Sequence, residues 1–267
     1  MPLYHILILA LIQGLTEFLP VSSSGHLVLT HSLLGQENHD LCWEKNRMID
    51  VAVHVGTLLS VLVYFWKDLW AMLVNILKVR SSEFQLMTHL TIASIPVIVA
   101  GFVIHKLEPS FLCMVEVMAW MTIIFGIVLW IADRFFDDQK TLDQMNWVQA
   151  GLIGLSQSLA LIPGTSRSGI TMTSARFLGF KRTEAARFSL LLSIVAIGGA
   201  GALSSLDLIK QGNMSLGSDV LIAVLLSFLA GWGAIAVMMR WLQKSSFTPF
   251  AIYRVILGVI ILAVLYV

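Results

Sequence analysis

The chain has 267 residues, of which 57% are hydrophobic and only 12% charged, with a mean hydropathy of +0.85. Soluble domains carry about 25% charged residues, and no soluble domain of normal size fits between the apolar segments here. The composition therefore excludes a soluble enzyme. A formal net charge of +1 with no basic stripe gives no reason to expect a nucleic-acid partner. Cys42 and Cys113 have neither metal-type spacing nor the pattern of a disulfide scaffold.

In chain order, the N-terminus M-P-L-Y-H-I-L-I-L-A lacks the basic n-region and A-x-A-like site of a cleaved signal. It is read as part of the mature fold. Crossing the hydrocarbon core takes roughly 17–25 residues. The first apolar run, 4–19, is a little short and ends in the polar string E-F-L-P-V-S-S-S-G-H-L (Glu17 to Leu27), followed by the short segment 25–34. Half-length segments interrupted by Pro or Gly mark broken helices around a midplane site, so 4–34 is predicted to be a re-entrant helix hairpin.

A first span follows at 49–66. The stretch from Lys67 to Arg80 looks interfacial, with Trp70 at headgroup level and cations at both ends. Spans at 86–105 and 113–132 come next, then the acidic string D-R-F-F-D-D-Q-K-T-L-D (Asp133 to Asp143), expected to be a solvated cytoplasmic connection. The order then restarts. A short run, 147–162, ends in I-P-G-T-S-R-S-G (Ile162 to Gly169) and continues as 168–178, a second predicted hairpin. Spans at 184–204, 219–240 and 249–266 complete the chain.

Each half is thus a hairpin plus three spans. A hairpin returns to the side it entered from and three spans do not, so the second copy must be inverted. Eleven Lys and Arg then fall in loops on one face and four (Lys45, Arg47, Lys106, Lys210) on the other, with Arg167 and Arg254 inside membrane segments. Cytoplasmic loops are rich in Lys and Arg, which places the first face in the cytoplasm and both termini outside. The fold class expected is an all-α polytopic membrane protein. It forms one domain of two inverted-topology repeats, about 1–135 and 146–267, whose hairpin tips meet near the bilayer centre.

The tips present Glu17, Ser22, Ser23, Ser24, Gly25 and His26 from the first half, and Thr165, Ser166, Arg167, Ser168 and Gly169 from the second. Gly and Ser at a helix N-terminus leave backbone N–H groups for an anion. Arg167 adds a permanently charged fork suited to phosphate oxygens. Hydroxyls donate to the same oxygens or act as nucleophiles. His26 is the acid/base candidate at neutral pH, and Glu17 could orient it, activate a nucleophile or hold a divalent cation. The set describes a phosphate site in an apolar cavity, fit for a lipid with a phosphorylated head. Ser in a membrane helix is usually packing, and a buried Glu17–Arg167 ion pair is the plainest alternative. That alternative does not explain why both partners arrive on tips rich in glycine and serine. His54, deep in V-A-V-H-V-G-T-L-L, is a candidate partner for a tip group. Glu116, His89 and Arg254 could line the cavity, but the plainer reading places each near a helix end, where snorkelling suffices.

The two strings resemble the motifs of the undecaprenyl-pyrophosphate phosphatase (bacitracin-resistance) family. Q-G-L-T-E-F-L-P-V-S-S-S-G-H-L follows its first motif and L-I-P-G-T-S-R-S-G-I-T its second. V-G-T-L-L-S-V-L and A-A-R-F-S-L-L-L-S-I are similar to further family segments, so the resemblance runs nearly end to end. It implies hydrolysis of undecaprenyl pyrophosphate to the monophosphate and inorganic phosphate, recycling the cell-wall carrier lipid. It also implies two inverted repeats, a divalent cation (Mg2+ or Ca2+), and a multi-pass protein of the bacterial cytoplasmic (inner) membrane whose site opens to the outer face. The expected partners are the polyprenyl pyrophosphate and membrane lipids, with a homodimer as the candidate assembly.

By motif position, Glu17, His26 and Arg167 match the principal active-site residues and Ser23 a serine proposed to act in catalysis. Ser24, Ser166 and Ser168 match supporting hydroxyls. Ser22, Gly25, Thr165 and Gly169 complete the expected binding set. The position four before Glu17 is usually Glu or Gln in the family. Here it is Gln13, a ligand through its carbonyl but not a base, which weakens a two-carboxylate metal site. Ile194-Val195 replaces a common Ile-Pro, which predicts a straighter helix. The rival reading is a polyprenyl-phosphate transporter or flippase using the same cavity. A phosphatidic-acid-type phosphatase would need a nucleophilic His where this chain has Thr173, and is rejected.

Overall fold

The computed structural model describes residues 3–33, 47–107, 109–136, 138–210 and 218–266. Cys42, Lys45 and Asp137, and residue 34 at the end of the first predicted hairpin, lie outside the described residues. The described chain is helical: α1 (Leu3–Glu17), α2 (Ser23–Leu33), α3 (Arg47–Tyr64), α4 (Trp66–Val74), α5 (Ser82–Leu107), α6 (Val115–Phe135), α7 (Trp147–Ser158), α8 (Arg167–Phe177), α9 (Arg182–Lys210), α10 (Ser218–Leu242) and α11 (Thr248–Tyr266).

Among the described residues, five helices are long and apolar enough to cross a membrane: α5, α6, α9 over Arg182–Ala202, α10 and α11. A sixth span is available if α3 and α4 count as one, although they meet at 69°. Leu, Ile, Val, Phe and Trp side chains stand exposed along these helices, among them Ile98, Phe102, Trp120, Leu225 and Ile256. In water such surfaces would aggregate; in lipid they are solvated. The protein is an all-α polytopic membrane protein.

The predicted spans fall within these helices to a few residues. Helices outrun the hydrophobic runs where polar groups cap them, as at α5, where the Phe84 N–H donates to Ser81 Oγ at 3.1 Å. α9 passes through Ile194 and Val195 without a break, as the missing proline predicts. The bend after Tyr64 turns α4 away from α3 with Trp66 and Trp70 exposed. Asp68 of α4 pairs with Arg187 of α9 and fixes that turn.

α1 and α7 are both too short to span: the 15 residues of α1 reach about 22 Å. α1 packs along α10 and α7 along α5, while α6 pairs with α11 and α3 meets α9. Both short helices press glycine onto a neighbour's backbone. A Cβ at Gly14 would lie 2.8 Å from the Ser227 carbonyl oxygen of α10, and one at Gly154 would lie 2.5 Å from the Ala93 carbonyl oxygen of α5. Small residues permit this close approach, which supplies the dispersion contact that holds helices together in lipid. α8 runs back from the second tip between α6, α7 and α9, and its Met172 and Ala175 lie in the main core with Phe18, Phe180 and Phe188.

The acidic string is solvated over much of its length, with Arg134, Gln139, Lys140 and Asp143 exposed, but its first residue, Asp133 in the last turn of α6, is not. Asp133 is 2% exposed and Arg176 fully buried. The Asp133 carboxylate lies 3.2 Å from Arg176 Nε and 2.7 Å from Arg182 Nε, and it accepts the Phe247 N–H at 2.8 Å. Asp138 pairs with both arginines at 3.1 Å. The network ties the ends of α6 and α8 and the starts of α9 and α11 together. A buried charge network is tolerated because each charge is paired and further hydrogen-bonded. Cys113 is disulfide-bonded, which the spacing of the cysteines gave no reason to expect.

Candidate active site

Both polar strings form tips between two short helices in contact with each other, α1 with α2 and α7 with α8, and the two tips share a local design. Pro20 has no N–H and restricts the residue before it, so α1 stops at Glu17 and the chain turns, with the Val21 N–H donating to the Leu19 carbonyl at 2.8 Å. Ser22 then takes φ 72°, immediately before α2. In the second tip Gly164 has φ 86° and Ser166 φ 68°, immediately before α8. Positive φ in a residue with a side chain costs on the order of 1–3 kcal/mol and gathers at functional sites. Ser22-Ser23-Ser24-Gly25 and Ser166-Arg167-Ser168-Gly169 therefore stand in register. In each, the two flanking serine hydroxyls lie 3.2 Å apart.

The tips touch. Ser168 Oγ donates to the Leu19 carbonyl at 2.9 Å, and Arg167 Nη2 donates to Glu17 Oε1 at 3.1 Å, with these side chains 14% and 11% exposed. The other carboxylate oxygen of Glu17 accepts from Gln13 Nε2 at 2.8 Å and from Ser23 Oγ at 3.3 Å. Arg167 Nη1 also reaches the Ser189 carbonyl of α9, at 3.5 Å. Beside this pair lies a cavity of about 250 Å³, lined by Glu17, Ser22, Ser23, Ser24, Ala160, Leu161, Pro163, Gly164, Ser166 and Arg167. The ion pair expected as the plain alternative is thus present, but it borders a cavity lined with hydroxyls instead of sealing a core. A groove of about 490 Å³ between α1, α10 and the start of α11 is larger but lined without any ionisable side chain. Size does not mark the chemistry here.

Of the remaining expected residues, Gln13, Thr165, Ser168, Gly25 and Gly169 are buried behind the cavity wall. Gly169 N–H donates to Ser166 Oγ at 3.2 Å, which caps α8. His26 is placed differently from the sequence-based expectation. Its Nδ1 lies 2.8 Å from the Ser22 carbonyl oxygen and its Nε2 2.6 Å from the Tyr253 hydroxyl, with the two rings stacked. It lines a separate groove of about 200 Å³ with Leu29, Thr30, Tyr253 and Ile256. Among the hydrogen bonds of the described residues, the one to the Ser22 carbonyl links it to the polar cavity.

Two residues belong to this region that the sequence did not assign. Tyr253 holds His26, and nothing in the linear pattern pairs positions so far apart. Arg254 was assigned to a helix end, yet it lies two turns into α11 and is 0% exposed. Its Nη2 donates to the Gly164 and Thr165 carbonyls, both at 2.8 Å, and its Nε to the Thr122 carbonyl at 3.2 Å. Snorkelling is not its role; it clamps the backbone of the second tip. A Cβ on Gly169 would come within 2.5 Å of Arg254 Nη1, and one on Gly164 within 2.0 Å of the Met118 carbonyl oxygen. Gly164 is required, since the atom it meets is backbone and its φ is positive, whereas Gly169 faces the end of the Arg254 side chain. Its charge alone at that depth was the available signal.

Among the described residues no group of three or more His, Cys, Asp or Glu could hold a metal ion. The oxygen donors near Glu17 are the Ser23 hydroxyl and Gln13 Oε1, which is buried without a hydrogen-bond partner. That set fits a hard cation only if a ligand's own oxygens complete it, as is common for Mg2+ with phosphates.

These features define a polytopic membrane protein in which an arginine–glutamate pair borders a cavity of serine hydroxyls where two helix breaks meet. The chain belongs to the bacitracin resistance protein BacA family, whose profile matches residues 6–260. It is similar over the full length of both chains to the undecaprenyl-diphosphatases of Jannaschia sp. (strain CCS1) and Roseobacter denitrificans, each at 44% identity over 272 residues. A third relative, the undecaprenyl-diphosphatase of Hahella chejuensis, is 45% identical over 268 residues, 98% of each chain.

Proposed function

We propose that this protein is a membrane phosphatase that hydrolyses undecaprenyl pyrophosphate to undecaprenyl phosphate and inorganic phosphate, recycling the lipid carrier of cell-wall synthesis. The observation that carries this reading is the Arg167–Glu17 pair bordering a cavity of serine hydroxyls. The hydrolase names of the relatives favour hydrolysis over transport.

Phosphoryl transfer depends mostly on positioning and charge stabilisation. In this reading the free guanidinium edge of Arg167 holds the terminal phosphate, with Ser22, Ser24 and Ser166 donating to its oxygens. Ser23 Oγ, or a water in its place, attacks the terminal phosphorus in line. Its proton passes to Glu17 Oε2, toward which the Ser23 hydroxyl already points, and undecaprenyl phosphate leaves with the bridging oxygen; where Ser23 is the nucleophile, a water then attacks the phosphoserine, returns the hydroxyl to Ser23 and releases inorganic phosphate. His26, one turn along α2, is the reserve acid/base group. Its Nε2 becomes available when the Tyr253 hydroxyl turns away. Mg2+ or Ca2+ would be held by Glu17 with Gln13 Oε1 and would neutralise phosphate charge.

We also infer an inner-membrane protein of two inverted repeats with the site open to the outside. The surplus of basic residues on one face and the matched packing of α1 on α10 and α7 on α5 support it. The disulfide at Cys113, between α5 and α6 on the face assigned to the outside, also suits an oxidising compartment. A homodimer is the assembly to test. The direct experiment is phosphate release from undecaprenyl pyrophosphate by the purified protein, with and without chelator, for wild type and Glu17→Gln. Turnover by wild type and its loss in the variant are expected; an inactive wild type with metal present overturns the assignment.

A further inference from the structure

We propose that His54 is a positioning residue for the reaction, acting through Gln13 to aim Glu17 at Arg167. The inference rests on the phosphatase reading and concerns groups behind the cavity wall.

His54 lies in the middle of α3, facing α1. Its Nδ1 is 2.6 Å from the Asp50 carbonyl oxygen one turn back. A carbonyl can only accept, so Nδ1 carries the ring proton, and Nε2 of the neutral ring is an acceptor. Gln13 Nε2 lies 3.3 Å from that Nε2 and 2.8 Å from Glu17 Oε2. The two hydrogens of one amide nitrogen are therefore divided between two acceptors, His54 and Glu17. The reverse amide orientation would set the Gln13 carbonyl oxygen 2.8 Å from the Glu17 carboxylate, acceptor against acceptor.

This division explains why an amide works at position 13. Gln13 is 1% exposed, so each of its hydrogens needs a protein acceptor. Without the lone pair of His54 one buried amide hydrogen has lost its acceptor and the amide is held from one side only, so the shortest of the three hydrogen bonds to Glu17 is no longer fixed in place. The carboxylate then no longer holds the arginine in one place. Small displacements of groups that orient a reacting centre are costly in rate.

The test is a double-mutant cycle on full-length protein, with undecaprenyl pyrophosphate as substrate. His54→Leu is expected to lower kcat about tenfold with KM within about threefold. His54→Gln, which can present an amide oxygen to Gln13, is expected to retain at least about half of wild-type kcat. In a Gln13→Ala background, His54→Leu should have almost no further effect, since its route to Glu17 is gone. Full activity in His54→Leu, equal loss in His54→Gln, or additive losses in the double variant would each overturn the proposal. If wild type itself releases no phosphate, the phosphatase reading falls, and this inference with it.

Discussion

The two tips are built alike and held differently. Each places a serine at positive φ before a short helix, and each bridges two serine hydroxyls across one intervening residue. The second tip is gripped from below: Arg254 binds two of its carbonyls, Thr122 Oγ1 reaches Gly164 at 3.3 Å, and Thr165 and Ser168 are buried. The first tip has Ser23, Ser24 and His26 partly exposed, and its side-chain hydrogen bonds run mostly to its own hairpin. The two therefore suit different tasks. A permanent charge is most useful when fixed before substrate arrives, and that charge sits on the clamped tip. Groups that move a proton must rearrange during the reaction, and those sit on the looser one.

The largest effect should come from the fixed charge. Arg167→Lys keeps the charge but loses the planar fork, and phosphate release should fall at least about a hundredfold; near-normal turnover would remove Arg167 from phosphate binding. Next comes the clamp. Arg254→Met leaves the Thr165 carbonyl buried without its Arg254 donor, at about 1–3 kcal/mol, and leaves the Gly164 carbonyl with only the longer bond from Thr122 Oγ1. Thermal unfolding in detergent should move down by several degrees, and activity should fall even at temperatures where the variant is folded. Gly169→Ala tests the same clamp more gently, because its new methyl group meets a side-chain end that can shift. A loss of about tenfold in kcat with a smaller change in melting temperature is expected. An equal effect from Gly25→Ala on the first tip, where the nearest atoms are the flexible ends of Ile261 and Leu257 at 3.3 Å, would erase the distinction between the tips. The smallest effect is expected from Tyr253→Phe, which frees His26 Nε2 while keeping the stacked ring. Activity should change by no more than about threefold, whereas His26→Ala in the same assay should cost more if His26 handles a proton.

Much of this was legible in the chain. The hydrophobic runs located five spans and the bent α3, because in lipid every backbone polar group must be satisfied within a helix. The polar strings marked the tips, and the charges on Glu17 and Arg167 were too costly at that depth to be incidental. Arg254 was misjudged because its distance from the helix start said nothing of what packed around it. Asp133 was misjudged because an acidic string looks solvated until its arginine partners, tens of residues away, close over it. His26 was grouped with Glu17 by proximity in sequence, yet its place on α2 sets its ring against Tyr253 of α11.

Sequence alone determined the membrane class, the two broken helices and the residue types that meet between them, since each follows from local solvation and backbone chemistry. Tertiary structure alone decided which donor serves which acceptor. It gave Glu17 to Arg167, Gln13 and Ser23, His26 to Tyr253, the second tip to Arg254 and the Gln13 amide to His54. Those pairings depend on helix rotation and depth at crossings between distant segments, and periodicity along one segment carries no information about its neighbour's register.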